Sequence, residues 1–299
     1  MKALSLFTGA GGADLGITEA GIEVVRGVEW EAPAVATCHA AGLDYVRHGD
    51  VRDLELYEGL PPIDLLFGGP PCQAFSSAGN RQGQDDLDRN AWPWTLEVID
   101  HVKPRWALLE NVLGLLHHSK DCAPPCPGCY WTGELLPAFR ARFPWVEHRV
   151  LNASSYGVPQ HRRRVFLVCG PGPIRWPEAT HGDPATFGQA DLFGRRRKPW
   201  TEAFFLTGPS PAVLASEVKG ARHQDFDPDR TPMRASDALW RATGRRRLTV
   251  EECARLQDFP PGHPFQGTKG DRYKQVGNAW PRAFGRVLGR ALLEAEERL

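Results

Sequence analysis

A cysteine in a loop stiffened by prolines is one residue of this 299-residue chain whose setting suggests chemistry. Cys72 follows Pro70 and Pro71 in the segment GGPPCQAFS (68–76), shortly after an apolar run at 63–67. The prolines restrict the loop, and a rigidly held thiolate can act as a nucleophile. Cysteine more often serves as a small buried hydrophobe, so Cys72 alone leaves packing and catalysis both open.

A carboxylate and a glycine-rich turn lie at comparable places in the chain. Glu110 follows the apolar run at 105–109, where a carboxyl group could pass a proton to a ring nitrogen. The turn TGAGG (8–12) follows the run at 3–7, and Glu29 comes 18 residues after Gly11. This spacing suits an acid that meets a ribose hydroxyl. The pattern favours a nucleoside-bearing cofactor, without distinguishing a dinucleotide from S-adenosylmethionine (SAM).

A third group of reactive residues has the spacing of metal ligands. Cys122, Cys126 and Cys129 form a C-x3-C-x2-C pattern, with His117 and His118 upstream. Three thiolates and one imidazole complete a tetrahedral zinc site. We predict structural zinc held by the three cysteines and His118, with three unligated thiols in a surface loop as the alternative.

The elements that must position these residues alternate between strand and helix. Apolar runs of strand length lie at 3–7, 22–28, 63–67, 105–109 and 164–170, and helix-compatible segments lie at 92–102, 133–143, 248–257 and 281–299. The alternation predicts a mostly parallel sheet covered by helices. Ligands bind beyond the carboxyl ends of such strands, where the glycine turn, Glu29, the Cys72 loop and Glu110 all fall. In the helix at 248–257, Thr249 and Glu252 predict a capping box.

Composition and charge restrict the cellular setting and the partners. The chain has no apolar run long enough for a membrane span and no convincing secretory signal, so we expect a cytoplasmic protein that does not bind membranes. An odd number of cysteines, seven, argues against a disulfide framework there. The net charge is zero, but residues 172–247 carry 13 basic and 9 acidic side chains. Basic clusters suit phosphate contacts, although a solvated face explains each cluster alone equally well.

Taken together, these motifs resemble the DNA (cytosine-5) methyltransferases of bacterial restriction–modification systems. The resemblance runs from Ser5 to Pro281, with the motifs in the family's usual order. The segments that carry it are FTGAGG (7–12) with Leu15, EW (29–30), GDV (49–51), DLLFGGPPCQAFS (64–76), KPRWALLENV (103–112), QHRRR (160–164), RRLTVEECARLQDFP (246–260) and QVGNAWP (275–281). Such a protein would come from a bacterium, an archaeon or a phage.

The resemblance implies a function and a set of site residues. It implies transfer of a methyl group from SAM to C5 of a cytosine flipped out of duplex DNA. Cys72 would attack C6, Glu110 would hold N3 and the exocyclic amine, Arg164 would bind O2, and Arg162 would bind a phosphate or the loop. The implied cofactor contacts are Phe7, Gly9, Gly11, Gly12, Leu15, Glu29, Trp30, Asp50, Val51, Gly69, Pro70, Asn278 and Ala279.

The resemblance also implies domains and partners. Residues 1–170 and 255–299 would form a Rossmann-like SAM-binding catalytic domain, and 171–254 a smaller, irregular target-recognition domain. We expect a monomer that binds double-stranded DNA, and a restriction endonuclease acting on the same site is a candidate partner.

Three other functions compete with this one. A tRNA cytosine-5 methyltransferase of the same fold is the nearest, but its cysteine–phenylalanine–threonine signature is absent where LQDFP (256–260) stands. A NAD-linked oxidoreductase would not need the PPC loop, and a non-catalytic DNA-binding protein would have lost Cys72 or Glu110. One departure from the family is Trp280, where a valine is usual; since Asn278 is retained, we expect changed packing there rather than lost activity.

Overall fold

The computed structural model describes residues 1–71, 90–118, 122, 126–182 and 248–299, together with the backbone of two short strands at 198–199 and 210–211. Cys72, the predicted nucleophile, lies outside the described residues. Most of the predicted target-recognition domain lies outside them as well. In the described part of the chain, no helix is both long enough and apolar enough to cross a membrane.

The strands form one large sheet and two small ones. The large sheet has seven strands in the order β3-β2-β1-β4-β5-β8-β6, and two-stranded sheets pair β10 with β9 and β11 with β7. The strands are β1 (Lys2–Leu6), β2 (Glu23–Glu29), β3 (Val46–His48), β4 (Leu65–Gly68), β5 (Trp106–Asn111), β6 (Trp145–Asn152), β7 (Gln160–His161), β8 (Arg163–Gly170), β9 (His181–Gly182), β10 (Lys198–Pro199) and β11 (Ser210–Pro211). The first five strands of that order are parallel, and β8 runs antiparallel to both β5 and β6.

Helices cover this sheet. They are α1 (Gly12–Glu19), α2 (Ala32–Ala40), α3 (Trp92–Val102), α4 (Pro127–Tyr130), α5 (Leu136–Arg140), α6 (Val250–Leu256), α7 (Lys269–Asn278) and α8 (Arg282–Glu296), with a π-helical turn at Trp131–Leu135. One cluster of buried side chains includes Phe67, Phe166 and Phe284, and another includes Leu4, Leu66 and Leu109. Strands buried on both faces read as continuous apolar runs, which explains why β1, β4 and β5 are evident in the sequence.

The predicted fold class is confirmed, with differences in detail. The helix at 92–102 and the capping box of Thr249 and Glu252 are both observed. The segment 133–143 is not one regular helix, because the π-helical turn precedes α5 and Pro137 stands at the start of that helix. The sequence prediction missed β3, which is short, and β6, whose side chains are mostly half-exposed or exposed.

The order of the strands places a crevice between β1 and β4. The chain proceeds from β1 outward through β2 and β3 in one direction, and from β4 through β5 in the other. A reversal of this kind opens a crevice beyond the carboxyl ends of the strands. The turn after β1, the loop after β4 and the ends of β2 and β5 therefore face a common space.

The C-terminal helix closes this domain by packing tightly on α1. A Cβ added to Gly16 would lie 2.1 Å from the Arg282 carbonyl oxygen, and one on Gly285 would lie 2.6 Å from the Ala13 carbonyl oxygen. The two helices approach so closely because neither position carries a side chain. The contact brings the segment before α8 to the turn after β1.

Candidate active site

A cavity of about 730 Å³ lies beyond the carboxyl ends of the parallel strands. Most of the predicted cofactor contacts line it: Phe7, Gly9, Glu29, Trp30, Asp50, Val51, Gly69, Pro70, Asn278 and Ala279. Glu110, Arg162 and Arg164 line it as well, as does Pro71, the residue before Cys72.

Three predicted cofactor contacts, Gly11, Gly12 and Leu15, are not among the residues that line the cavity and instead pack behind the turn after β1. Gly11 precedes α1 with φ +80°, and a Cβ there would lie 2.5 Å from Leu43 Cδ1. A Cβ on Gly12 would lie 2.4 Å from the Trp280 carbonyl oxygen, and Leu15 packs among apolar side chains. These residues shape the backbone that borders the cavity.

Glu29, at the end of β2, is buried and held by backbone groups. Its Oε2 accepts from the Gly9 N–H at 2.7 Å, and its Oε1 accepts from the Glu31 N–H at 2.7 Å. Burial raises the pKa of Glu29, while these backbone hydrogen bonds oppose the rise. Each carboxylate oxygen can accept a second hydrogen bond, so Glu29 retains capacity for ligand hydroxyl groups. Phe7, on the same wall, adopts φ +54°, a strained backbone for a bulky residue.

Asp14 also lines the cavity and was missed in the sequence analysis. This carboxyl group is fully buried and accepts hydrogen bonds from Ser5 Oγ at 3.0 Å and Tyr45 Oη at 3.4 Å. Burial raises its pKa to about 7. In the sequence, Asp14 looks like an ordinary acidic residue in the first turn of α1. Only the packing of the folded chain shows that it is buried at the cavity.

Beyond β2 and β3, polar and aromatic groups border the cavity. Asp50 forms an ion pair with Arg52 at 2.6 Å, and the arginine side chain holds the pKa of Asp50 below its usual range. The Arg52 guanidinium lies 4.7 Å from the ring centroid of Trp94, in α3. Trp30 is 64% exposed, so its indole is free of core packing and available to a planar ligand group.

Glu110, at the end of β5, is held by side chains from distant parts of the chain. Arg164 Nε pairs with Glu110 Oε1 at 2.8 Å, and both side chains are nearly buried. Burial raises the pKa of Glu110, while the guanidinium groups of Arg164 and Arg162 and a hydrogen bond from Trp280 lower it. The net shift is upward, so Glu110 holds its proton more tightly than a carboxyl group in water does.

Arg162 lies beneath this pair and is 2% exposed. Its NH2 group donates to the Gly277 carbonyl oxygen at 3.0 Å, and burial lowers the pKa of Arg162 to about 9. The two roles predicted for Arg162, contact with a phosphate or with the Cys72 loop, stay predictions, because the backbone group that it holds here belongs to α7.

An amide network, also missed from sequence, joins three of the motifs. Gln160 Nε2 donates to the Leu256 carbonyl oxygen at 2.7 Å and to the side-chain oxygen of Gln257. Gln257 Nε2 in turn donates to the Ala279 carbonyl oxygen. The arginine segment, the segment after the recognition region and the terminal motif are thereby held together.

The two ends of the segment that contains Cys72 are anchored beside Glu110. Asn111 Nδ2 donates to the Pro70 carbonyl oxygen at 3.1 Å, and the Ala91 N–H lies 3.5 Å from the Pro71 carbonyl oxygen. Asn90 Nδ2 donates to Tyr130 Oη at 3.0 Å. Pro71, the last described residue before Cys72, therefore lies at the cavity wall.

The four predicted metal ligands converge near α4. Their donor atoms, from His118, Cys122, Cys126 and Cys129, all lie within 4.8 Å of one another. His118 Nδ1 is 3.6 Å from Cys122 Sγ, 3.7 Å from Cys126 Sγ and 3.6 Å from Cys129 Sγ. Nitrogen and sulfur ligands around a tetrahedral zinc ion lie about 3.6 Å apart, given their usual bond lengths. A Cβ on Gly128 would lie 2.7 Å from His118 Cδ2, so that glycine admits the imidazole.

Comparisons with known proteins identify the family that this chain matches. The family model of the C-5 cytosine-specific DNA methylases matches residues 1–178 and 193–294. A type II methyltransferase of Neisseria gonorrhoeae, M.NgoMIV, is 31% identical over 98% of this chain and 97% of its own length. M.AplI of Arthrospira platensis is 32% identical over 97% of this chain and 84% of its own length.

Solved structures share the fold. The Dnmt2 methyltransferase of S. pombe has a TM-score of 0.66 at 18% identity, with 99% of each chain covered. The Entamoeba histolytica methyltransferase EhMeth has a TM-score of 0.69 at 12% identity, with 99% of this chain and 98% of its own chain covered. At these identities the likeness concerns architecture alone.

Proposed function

The chain belongs to the C-5 cytosine-specific DNA methylase family, and from that premise we propose how its own residues methylate cytosine in duplex DNA. The observation that carries the proposal is the shared cavity. Glu29 and Asp50 border it at the ends of β2 and β3, and Glu110 borders it at the end of β5, beside Pro71. One end of the cavity, at β2 and β3, would therefore hold the cofactor. The other end, at β5 and Pro71, would hold the cytosine base.

The described residues fit SAM, which supplies an electrophilic methyl group when bound. Glu29 keeps acceptor capacity for ribose hydroxyls, because its carboxylate can accept about four hydrogen bonds and the backbone N–H groups of Gly9, Glu31 and Trp30 do not use all of them. Asp50 and the exposed indole of Trp30 border the region proposed for the adenine. Gly9 and Gly69 carry no side chains, so a ligand can approach the backbone closely at these two positions of the cavity wall.

The base end supplies the chemistry that cytosine lacks. We place Cys72 directly after Pro71, where its thiolate attacks C6 and pushes the ring electrons toward C5. Glu110 donates a proton to N3 as the adduct forms, and Arg164 binds O2 and holds the Glu110 carboxylate. C5 would then accept the methyl group from SAM, which leaves as S-adenosylhomocysteine. C5 loses its proton to solvent, the ring expels the Cys72 thiolate, and N3 returns its proton to Glu110, so that neutral 5-methylcytosine and the acid are regenerated.

We propose that the recognition region, predicted at 171–254, corresponds to the basic segment within 183–247. On either side of that segment the chain packs on the catalytic domain: Ile174 is buried in its core, and Cys253 packs with Ala10 and Val276. The predicted boundary at 254 falls inside α6. Basic side chains in this segment would contact phosphates while others contact base edges, with the target cytosine flipped into the cavity.

We also propose that His118, Cys122, Cys126 and Cys129 bind a structural zinc ion. The distances between His118 Nδ1 and the three sulfurs match those of a tetrahedral site. Such a site would fix α4, whose Tyr130 accepts from Asn90 at the far end of the Cys72 segment. The ion would therefore stabilise one anchor of the catalytic loop.

The proposed biological setting is that of the curated relatives, which are named type II methyltransferases. We propose a cytoplasmic, monomeric enzyme that protects a specific DNA site from a partner endonuclease.

Transfer of tritium from labelled SAM tests the proposed activity. Genomic DNA from a methylation-free host should accept the label, and digestion should yield labelled 5-methylcytosine. Transfer RNA added in excess should neither accept the label nor compete. Absence of transfer to this DNA while SAM binds, or transfer to tRNA instead, would contradict the proposal.

Metal analysis tests the zinc site with a matched pair of neighbouring histidines. The purified protein should contain about one zinc ion per chain. His118→Ala should lower both the zinc content and the Tm, while His117→Ala should retain both, because His117 contributes no donor atom to the cluster. Only a trace of zinc in the wild-type protein, or equal loss in both variants, would overturn this assignment.

A further inference from the structure

Trp280 lies at the junction of α7 and α8 and borders both the core and the cavity. The residue is 6% exposed, and its ring centroid lies 5.3 Å from that of Phe166 and 6.5 Å from that of Phe67. The ring thus takes part in aromatic packing beneath β4 and β8. The sequence predicts only changed packing at this position.

The polar edge of the same ring reaches the Glu110 carboxylate. A Cβ added to Gly69 would lie 3.1 Å from Trp280 Nε1 and 3.2 Å from Glu110 Oε2, so the two atoms converge over that glycine. The indole N–H lies within reach of the Glu110 side chain and lowers the pKa of that carboxyl group. Because an indole nitrogen can only donate, its partner is the carboxylate.

We propose that Trp280 is a positioning residue for Glu110, with its indole N–H fixing one carboxylate oxygen while Arg164 fixes the other. The proposal rests on the function proposed above, in which Glu110 transfers a proton to the cytosine ring. Arg164 alone leaves the carboxylate free to rotate about its single contact, whereas two donors from separate elements fix its plane.

The charged groups around Glu110 in the described part of the chain are Arg164 and Arg162, both cations from the segment at β8. The neutral donor of Trp280 adds to them by stabilising the ionised carboxylate. Loss of the N–H therefore raises the pKa of Glu110, and the fraction protonated at a given pH increases.

Kinetics of Trp280→Phe test the positioning role. Phenylalanine keeps an aromatic ring beside Phe166 but removes the donor, so kcat should fall about tenfold, as expected for one hydrogen bond to a charged group. The KM for SAM should stay within about twofold of wild type. Because the protonated acid is active, the descending limb of the pH–rate profile should move to higher pH. Trp280→Val should show the same shift of the descending limb to higher pH, together with a lower Tm.

A purely structural role predicts a different outcome for the same variants. If Trp280→Phe kept the wild-type kcat and the wild-type limb, and only the Tm changed, the proposal would be overturned.

NMR spectroscopy tests the contact between Trp280 and Glu110 independently of the proposed DNA substrate. In protein labelled with ¹⁵N at its ten tryptophan indoles, the Trp280 N–H signal is the one missing in Trp280→Phe. Its chemical shift should follow the titration of Glu110 and become independent of pH in Glu110→Gln. A shift that follows pH equally in that variant would refute the hydrogen bond, whatever the protein methylates.

Discussion

Two glutamates lie at the carboxyl ends of strands β2 and β5 of the same sheet, and they are held by different kinds of partner. Glu29 accepts from the backbone N–H groups of Gly9 and Glu31. Glu110 is held by the side chains of Arg164 and Trp280, which lie 54 and 170 residues away along the chain. Burial raises the pKa of both carboxyl groups, yet only Glu110 has cations within reach.

The difference follows from what each carboxylate must do. A cofactor contact needs a fixed acceptor, and backbone donors in a tight turn supply one without adding a charge. An acid that transfers a proton must change its protonation state, and the side chains of Arg164 and Trp280 lower a pKa that burial raises. We therefore expect substitution of Glu110 to affect turnover and substitution of Glu29 to affect binding.

Glu110→Gln should have the largest effect. An amide cannot pass a proton to N3, so kcat should fall about 10³-fold, within the range for general acid catalysis, while the Kd for SAM stays near wild type. Turnover on duplex DNA and calorimetric SAM binding measure the two quantities. Glu251→Gln, at an exposed position in α6, is the control; a fall in kcat of only a few fold for Glu110→Gln would contradict the assignment.

Asp14→Asn extends the comparison to a buried carboxyl group whose side-chain donors are the hydroxyl groups of Ser5 and Tyr45. Burial raises the pKa of Asp14 from 3.8 to about 7, so the folded state binds its proton more tightly than the unfolded state does. Stability is therefore lost as the pH rises from 3.8 to about 7, the interval between the two pKa values. The variant cannot ionise and should gain about 3 kcal/mol relative to wild type between pH 5 and 8.

Urea unfolding at several pH values measures this gain. Asp50→Asn is the control, because Arg52 lowers the pKa of Asp50 and that group stays ionised throughout the window. A stability difference for Asp14→Asn that does not change with pH would show that Asp14 is ionised at pH 5.

Glu29→Gln should have a smaller effect, confined to cofactor binding. The amide turns a donor toward the N–H of Gly9 or Glu31 and loses an acceptor for the ribose, so the Kd for SAM should rise about twentyfold. At saturating SAM, kcat should stay within about threefold of wild type. Glu23→Gln, at the exposed start of the same strand, should change neither value. A large loss of kcat at saturation would break the division between the two glutamates.

The same contrast shows which features of the site can be predicted from the amino-acid sequence. The strand ends that carry Glu29 and Glu110 could be predicted, because the runs at 22–28 and 105–109 have strand length and each glutamate follows its run directly. Partners that lie far apart in the chain could not. The hydrogen bond of Trp280, the burial of Arg162 and the Gln160–Gln257 pair depend on how the segment before α8 packs against the sheet. No local spacing encodes that packing, and the glycines that permit it, Gly16 and Gly285, look like ordinary helix residues.

Covalent capture of the enzyme by its substrate tests the central claim most directly. Duplex DNA in which 5-fluorocytosine replaces cytosine cannot release the C5 substituent as a proton, so in the presence of SAM the enzyme should remain attached to the DNA. Peptide mapping should locate the adduct on Cys72, and Cys72→Ser should abolish it while Cys253→Ala retains it. An adduct on another cysteine, or complete turnover without any adduct, would contradict the account.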